Sequence, residues 1–298
     1  MVIATLLYDL CSKYGVVVFI SISLSLAVRK LLEHLQKDKQ KPFPKTKKNV
    51  TPNITVDEET VDDESPEYED DTIPALPEDL EHIPFHYTAL SDQEMLSRSE
   101  EFYKLMNERR TVRYFSQEPV PVEIIRNIVK TAGTSPSGAH TEPWTFVVVQ
   151  DPSVKQQIRE VVEEEEHINY TRRMGKQWTA DLKAFKTSWN KPYLTDAPYL
   201  ILVFKQLYSF TDTGARKNHY YNEISVAIAS GMLLMAIQNA GLVTLTSTPL
   251  QCGGRLRDIL GRPETERLTL LLPVGKPAAN CTVPDLARKE FHEICVEI

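Results

Sequence analysis

A segment that is apolar on nearly every side leaves a fold little freedom. From His219 to Asn239 the chain carries Ile224, Val226, Ile228, Leu233, Leu234, Met235 and Ile237 among small residues, with no face kept for water. A helix patterned this way is central and buried, so the domain has to be built around it. Gly241 stands where a helix of this extent needs a residue able to take a left-handed conformation. The chain on both sides alternates helix and strand patterns. Ser91 and Glu94 form a capping box opening a helix that carries Met95, Leu96, Phe102, Tyr103 and Met106. Pro121 to Ala132 is a second helix with Ile124, Ile125, Ile128 and Val129 inward. Trp144 to Val149 is a buried strand, and Asp151-Pro152 caps and opens a helix that turns acidic at Glu163 to Glu166. Tyr199 to Phe204 is a second strand, followed by strand patterns at Thr244 to Thr248, Leu268 to Val274 and Glu293 to Ile298. Interleaved elements predict a layered α/β (α+β) domain, a central sheet flanked by helices, without internal repeats.

The first 80 residues follow different rules. Gly15 to Val28 is apolar or small throughout, with Arg29-Lys30 behind it. As a helix this run spans roughly 21 Å, short of the ~30 Å bilayer core. Adding Tyr14, Leu31 and Leu32, with Arg29 and Lys30 snorkelling, brings it to length. It reads as an uncleaved anchor. A signal peptide is the rival, but Asp9 precedes the run and the basic residues follow it. The basic flank places the rest of the chain in the cytosol. The sequons Asn49-Val50-Thr51 and Asn53-Ile54-Thr55 point the other way. Lys37 to Pro84, rich in Pro, Lys, Asp and Glu, reads as a disordered tether. The expected organisation is an anchor with its basic flank over 1–36, a linker over 37–80 and a folded domain over 81–298. A net charge of -7 argues against a nucleic-acid binder. Cys11, Cys252, Cys281 and Cys295 have neither disulfide nor metal-ligand spacing, so no metal site is expected.

Four groups of residues carry possible chemistry, each with a plainer reading beside it. Arg109, Arg110 and Arg113 close the first helix, either as cations at its negative end or as guanidinium forks for a phosphate. Ser135 to Ala139 is an ordinary turn, or a loop without bulky side chains whose backbone lies against a flat ring. Together with the arginines it would make one site. Glu166 and Tyr170, four apart, share a helical face that is either solvated or, with Lys191, able to read the zwitterion of an amino acid. Thr244, Thr246, Ser247 and Thr248 suit a strand whatever their function, though a hydroxyl there could tune a flavin at N5. His140 is a lone loop histidine. Neither GxGxxG, P-loop, HExxH nor GxSxG is present, so any reductive or group-transfer chemistry belongs to a bound cofactor.

Arg109-Arg110-Thr111-Val112-Arg113, Pro136 to Trp144, Glu163 to Tyr170 with Arg172-Arg173-Met174-Gly175, and Pro284-Asp285-Leu286 with Arg288-Lys289 resemble the iodotyrosine deiodinases, the membrane-anchored dehalogenase branch of the nitroreductase flavoprotein superfamily. The resemblance runs from about Glu81 to the C-terminus. It implies a nitroreductase-like fold with a mixed sheet, an intertwined FMN-dependent homodimer with C-terminal strand exchange, and two active sites at the subunit interface. By that resemblance Arg109, Arg110, Thr111, Val112, Arg113 and Arg288 hold the FMN phosphate and ribityl chain. Pro136, Ser137 and Gly138 pack at the flavin. Thr246, Ser247 and Thr248 lie near its ring, with Thr248 the partner of N5. Ala139, Glu166, Tyr170 and Lys191 contact the substrate. The family often has Ser where Thr111 stands, and both carry a hydroxyl. The implied reaction removes iodide from mono- and diiodotyrosine, with NADPH as ultimate reductant through a partner reductase. The rivals are a general nitro- or quinone reductase on the same fold, a tethered protein that binds flavin or halotyrosine without turnover, and an adaptor acting through its linker.

Overall fold

A computed structural model describes residues 74–211 and 214–298. The expected anchor, its basic flank and both sequons lie outside the described residues. No helix among the described residues is long and apolar enough to cross a membrane.

The first helix, α1 (Asp92–Asn107), begins where Ser91 Oγ accepts the amide of Glu94. The second, α2 (Val122–Gly133), buries Ile125, Ile128 and Ala132. Then come β1 (Trp144–Val149), α3 (Pro152–Ile168), a π-helical turn Asn169–Arg173, α4 (Lys176–Lys183) and α5 (Tyr193–Asp196). Asp151 caps α3, accepting the amides of Ser153 and Val154. They are followed by β2 (Tyr199–Gln206), the hairpin strands β3 (Tyr208–Phe210) and β4 (Arg216–Asn218), α6 (Asn222–Asn239), β5 (Val243–Thr244), α7 (Gly253–Ile259), β6 (Glu266–Gly275) and α8 (Phe291–Ile294).

The main sheet has the order β1-β2-β6-β5. All its strand pairings are antiparallel, and the expected mixed character reduces to one parallel bridge, Thr111–Thr244. Strand β2 organises the interior because successive side chains leave a strand on opposite faces. Leu200, Leu202 and Phe204 pack with Ile158, Val162, Leu194 and Leu256 under α3, α5 and α7. Tyr199, Ile201 and Val203 pack with Ile125, Ile128, Val226, Leu233 and Ile237 of α2 and α6. Each such fully buried side chain contributes about 1.5–3 kcal/mol, so the two cores hold the sheet from both sides.

Five expectations need correction. β1 has the expected limits but is an edge strand, with Val148 40% exposed. The Thr244 to Thr248 strand shrinks to Val243–Thr244, after which Ser247 makes an isolated bridge to Leu271. α6 starts at Asn222 rather than His219, because Tyr221 takes a left-handed conformation (φ 52°) at its N-cap. Its other end closes as expected: Gly241 (φ 72°) donates to Gln238 and Leu242 to Ile237. The helix is also not enclosed by the described residues, since Ile224 and Ile228 are exposed. At the C-terminus, Glu290 and Glu293 form a reciprocal capping box that turns Phe291–Ile294 into a short helix, and the alternation of Ile294, Val296 and Ile298 meets no sheet edge among the described residues.

At the junction of β6 and β2, a Cβ on Gly275 would lie 2.5 Å from Cδ and 2.9 Å from Cγ of Pro198. The proline ring cannot rotate away. A Gly275→Ala chain is expected to lose about 2 kcal/mol of stability, seen as a lower urea midpoint with unchanged slope. An unchanged midpoint would mean that the sheet end yields freely.

Candidate active site

The arginine segment and the threonine strand come together through the backbone. The amide of Val112 donates to Thr244 O at 3.1 Å beside the Thr111–Thr244 bridge. Arg109 to Arg113 therefore run next to β5, which leads into Thr246, Ser247 and Thr248. Ser247 and Leu271 exchange backbone hydrogen bonds of 3.0 and 2.8 Å, fixing that stretch on β6. Thr244 is buried and donates its hydroxyl to Pro273 O, whereas Thr246 and Thr248 are exposed. Arg110 donates to Pro284 O. Arg288 spends Nη1 on the carbonyl and side chain of Asn107, both at 2.8 Å, and Nη2 on Arg109 O at 2.9 Å. Within this chain Arg288 thus positions the arginine segment. Arg113 faces the Phe185 ring at 5.9 Å, beside a cavity of about 130 Å³ that Thr111, Tyr114, Val283 and Pro284 also line.

The Pro136 to Thr141 loop is not an ordinary turn. Ala139, His140 and Glu142 all have φ between 46° and 50°, a conformation that costs side-chain-bearing residues of order 1–3 kcal/mol each. Ser137 holds the turn by accepting the Glu142 amide at 2.9 Å, and Thr141 donates to Gly138 O. A Cβ on Gly138 would lie 3.1 Å from Tyr220 O, so the loop packs on the residues that open α6. The arginines, by contrast, lie at the other end of that helix, where Gln238 Nε2 donates to Leu105 O. With 18 residues, α6 is about 27 Å long. A single chain therefore holds the loop, with Ala139, and the arginine–threonine pieces at opposite ends of one helix. Among the described residues the two pieces do not meet within one copy, as sites shared between two copies would require.

The third group does assemble. Lys191 Nζ lies 3.1 Å from Glu166 Oε2 and 5.3 Å from the centre of the Tyr170 ring. Both charged side chains are shielded, at 7% and 13% exposure. Glu166 leaves the last turn of α3 and Tyr170 the π-helical turn, an irregularity frequent at functional positions. Burial, then the Glu166 charge, pushes the Tyr170 phenol above its ordinary range, against a smaller opposing pull from Thr187. Tyr193 connects this group to the threonine strand. Its buried phenol is raised first by burial and then by Glu166, while the nearby Arg113 and Ser247 side chains pull it the other way. The carboxylate–ammonium–phenol set therefore stands on the same side of the sheet as Arg113 and Ser247. The described residues contain no cluster able to hold a metal ion.

The nitroreductase family model matches residues 106–276. The mouse iodotyrosine deiodinase 1 is 61% identical over 74% of this chain and 78% of its own length, and the human one 53% identical over 88% and 91%. This chain belongs to the nitroreductase family, in its iodotyrosine deiodinase branch. A solved structure of oxidized iodotyrosine deiodinase bound to FMN and 3-iodo-L-tyrosine covers 63% of this chain and 95% of its own, at 34% identity and a TM-score of 0.56. As a member of the nitroreductase family the chain has the expected layered fold.

Sequence reasoning in this nitroreductase family member missed Tyr193, Phe185 and Asn169. Tyr193 sits between Pro192 and the apolar run into β2, where an aromatic reads as core. Asn169 is buried and accepts from Arg173 at 3.1 Å. Its only local signal is its place between Glu166 and Tyr170.

Proposed function

We propose that this chain is an FMN-dependent reductive dehalogenase that removes iodide from mono- and diiodotyrosine, with NADPH as ultimate reductant. The observation that carries the reading is the shielded Glu166–Lys191 pair with Tyr170 beside it. A general nitro- or quinone reductase has no use for a site that matches an amino-acid zwitterion, although the fold alone would serve it equally well.

The donor set fits a phosphorylated flavin. The guanidinium of Arg109 makes no hydrogen bond or ion pair among the described residues, Arg113 lies over the Phe185 ring with no hydrogen bond of its own among them, and Thr246 and Thr248 are exposed on the stretch after β5. Arg109, Arg110, Thr111, Val112 and Arg113 would hold the phosphate and ribityl chain, with Arg288 behind them. Thr246, Ser247 and Thr248 would lie along the ring, Thr248 donating to N5. FMN, when bound, supplies the two electrons that replace the carbon–iodine bond by carbon–hydrogen. The chain does the rest. Glu166 takes the substrate ammonium and Lys191 its carboxylate, while Tyr170 covers the bound molecule. Iodine ortho to the phenol lowers its pKa, so the ring is held as a phenolate. The segment from Tyr170 to Lys191 closes over it and excludes water.

Pro136, Ser137, Gly138 and Ala139 reach this site from a second copy. That arrangement accounts for the separation along α6, the open Ile224 and Ile228, and the buried His219, whose two ring nitrogens have no partner among the described residues. The C-terminal residues Ile294, Val296 and Ile298 would pair across the same interface. The apolar run at 15–28 would anchor the chain in a membrane, and electrons would arrive from a partner reductase.

The test is anaerobic. The flavin-loaded chain is reduced, diiodotyrosine is added, and iodide is assayed while flavin absorbance is followed. Iodide release in step with flavin reoxidation is the expected result. Tight binding without iodide would replace the reading with a binding protein, and reduction of nitroarenes without effect on diiodotyrosine would replace it with a general reductase.

A further inference from the structure

The side of α3 that carries Glu166 also carries three ionic groups that the proposed reaction does not use. Lys155, Arg159 and Glu163 lead up to Glu166 at spacings of four, four and three residues, so all four line one helical face, and Tyr170 continues it. Every member contacts the returning segment 187–197. Lys155 is buried and donates to Thr195 O at 3.3 Å and Ala197 O at 2.8 Å, holding the last carbonyls of α5. Arg159 donates to Thr195 Oγ1 at 2.8 Å and Asn190 Oδ1 at 3.0 Å. Glu163 Oε1 accepts two hydrogen bonds, from Arg159 Nε at 2.7 Å and from the backbone amide of Lys191 at 2.6 Å. One turn further, Glu166 meets the side chain of that same lysine.

We propose that Glu163, held by Arg159, is the positioning residue for Lys191 and thereby a determinant of selectivity for amino-acid substrates. The inference rests on the zwitterion reading given above. Lys191 has a long stem with several rotatable bonds, and its ammonium can sit at one point only if its backbone is fixed. No strand or long helix fixes it: Lys191 stands just before Pro192 and the four-residue α5. A carboxylate accepting a backbone amide is a charge-assisted bond, roughly twice as strong as a neutral one. Glu163 and Arg159 are 19% and 23% exposed, so water competes weakly for them. Lys155 and Arg159 set the register of the segment from the sheet side, Glu163 transmits it to the Lys191 backbone, and Glu166 and Tyr170 meet the side chain that results. Glu163 touches neither substrate nor flavin in this arrangement.

The distinguishing experiment compares two ligands on the flavin-loaded full chain by calorimetric titration. Diiodotyrosine carries the zwitterion and 2-iodophenol lacks it. Glu163→Ala is expected to weaken diiodotyrosine about 10-fold, the size of one charge-assisted hydrogen bond, and to leave 2-iodophenol unchanged. Glu163→Gln keeps an oxygen for the Lys191 amide while dropping the charge that holds Arg159. It is expected to give a smaller loss in the same direction, and it decides the matter if the alanine chain does not fold. Equal losses on both ligands, or no loss on either, would overturn the positioning role. Lys191→Met is the reference. If it is selective for diiodotyrosine and the Glu163 variants are not, only the positioning role falls. If it too treats both ligands alike, the zwitterion reading falls with it.

Discussion

Replacing Lys191 with methionine is expected to destabilise the folded chain by about 3 kcal/mol and to weaken diiodotyrosine on the order of 100-fold. The two effects have different origins. Methionine keeps the apolar stem and removes only the charge, which leaves Glu166 as a shielded carboxylate without its cation. Stranding one member of a shielded pair costs several kcal/mol, most of it the desolvation of the member that remains. Binding suffers separately. In the free protein the carboxylate and the ammonium satisfy each other, and an incoming zwitterion exchanges that one contact for two, with both groups already in place. A second substitution, Glu166→Gln in the Lys191→Met chain, separates the two. It removes the stranded charge and is expected to restore most of the stability while leaving binding lost, so the changes should be far from additive. Urea denaturation reads the first quantity and calorimetric titration the second. A Lys191→Met chain with wild-type stability and wild-type affinity would mean that the pair carries neither.

Placing a charge on the open face of α6 is expected to have the other large effect. Ile228→Glu should yield a monomer that has lost most of its flavin. Ile224 and Ile228 stand one turn apart and both are exposed in the single chain, on a helix whose Val226, Leu233 and Ile237 are sunk into the second core. A carboxylate buried there between two copies without a partner costs several kcal/mol. The flavin should follow the dimer because the Pro136 to Ala139 loop and the arginine segment lie at opposite ends of that helix. Sedimentation velocity reports the assembly, and the ratio of flavin to protein absorbance reports the cofactor. A monomer that stays yellow would establish that one copy closes the site by itself.

The sheet's interior strands were readable in the sequence because a run buried on both faces, such as Tyr199 to Phe204, has only one place to go. The cap at Asp151 and the closure at Gly241 were readable because each is a local bond between near neighbours. The failures have a common cause, since a periodic pattern does not name its partner. Ile294, Val296 and Ile298 alternate as a strand would, yet no strand edge among the described residues reaches them, while Glu290 and Glu293 close a local helix instead. The apolar girdle of α6 signalled burial but not by which chain. In the site, Glu166 and Tyr170 were legible from their spacing. Lys191 could only be nominated, because its approach depends on a segment held by Lys155, Arg159 and Glu163. Tyr193 was hidden, since a tyrosine before an apolar strand looks like packing.

The ionic face of α3 has one more consequence. The chain leaves that helix after Tyr170 and returns to it by Asn190, and both ends of the excursion are tied to the same rod. The intervening stretch is thus a closed loop whose length scarcely matters to its anchors, as each doubling costs only about 0.6 kcal/mol. Changes of length confined to the stretch around α4, which touches none of those anchors, are expected to alter how quickly molecules enter and leave more than which molecules fit. Traffic and discrimination would then be separable traits, and descendants of this chain could vary one while inheriting the other.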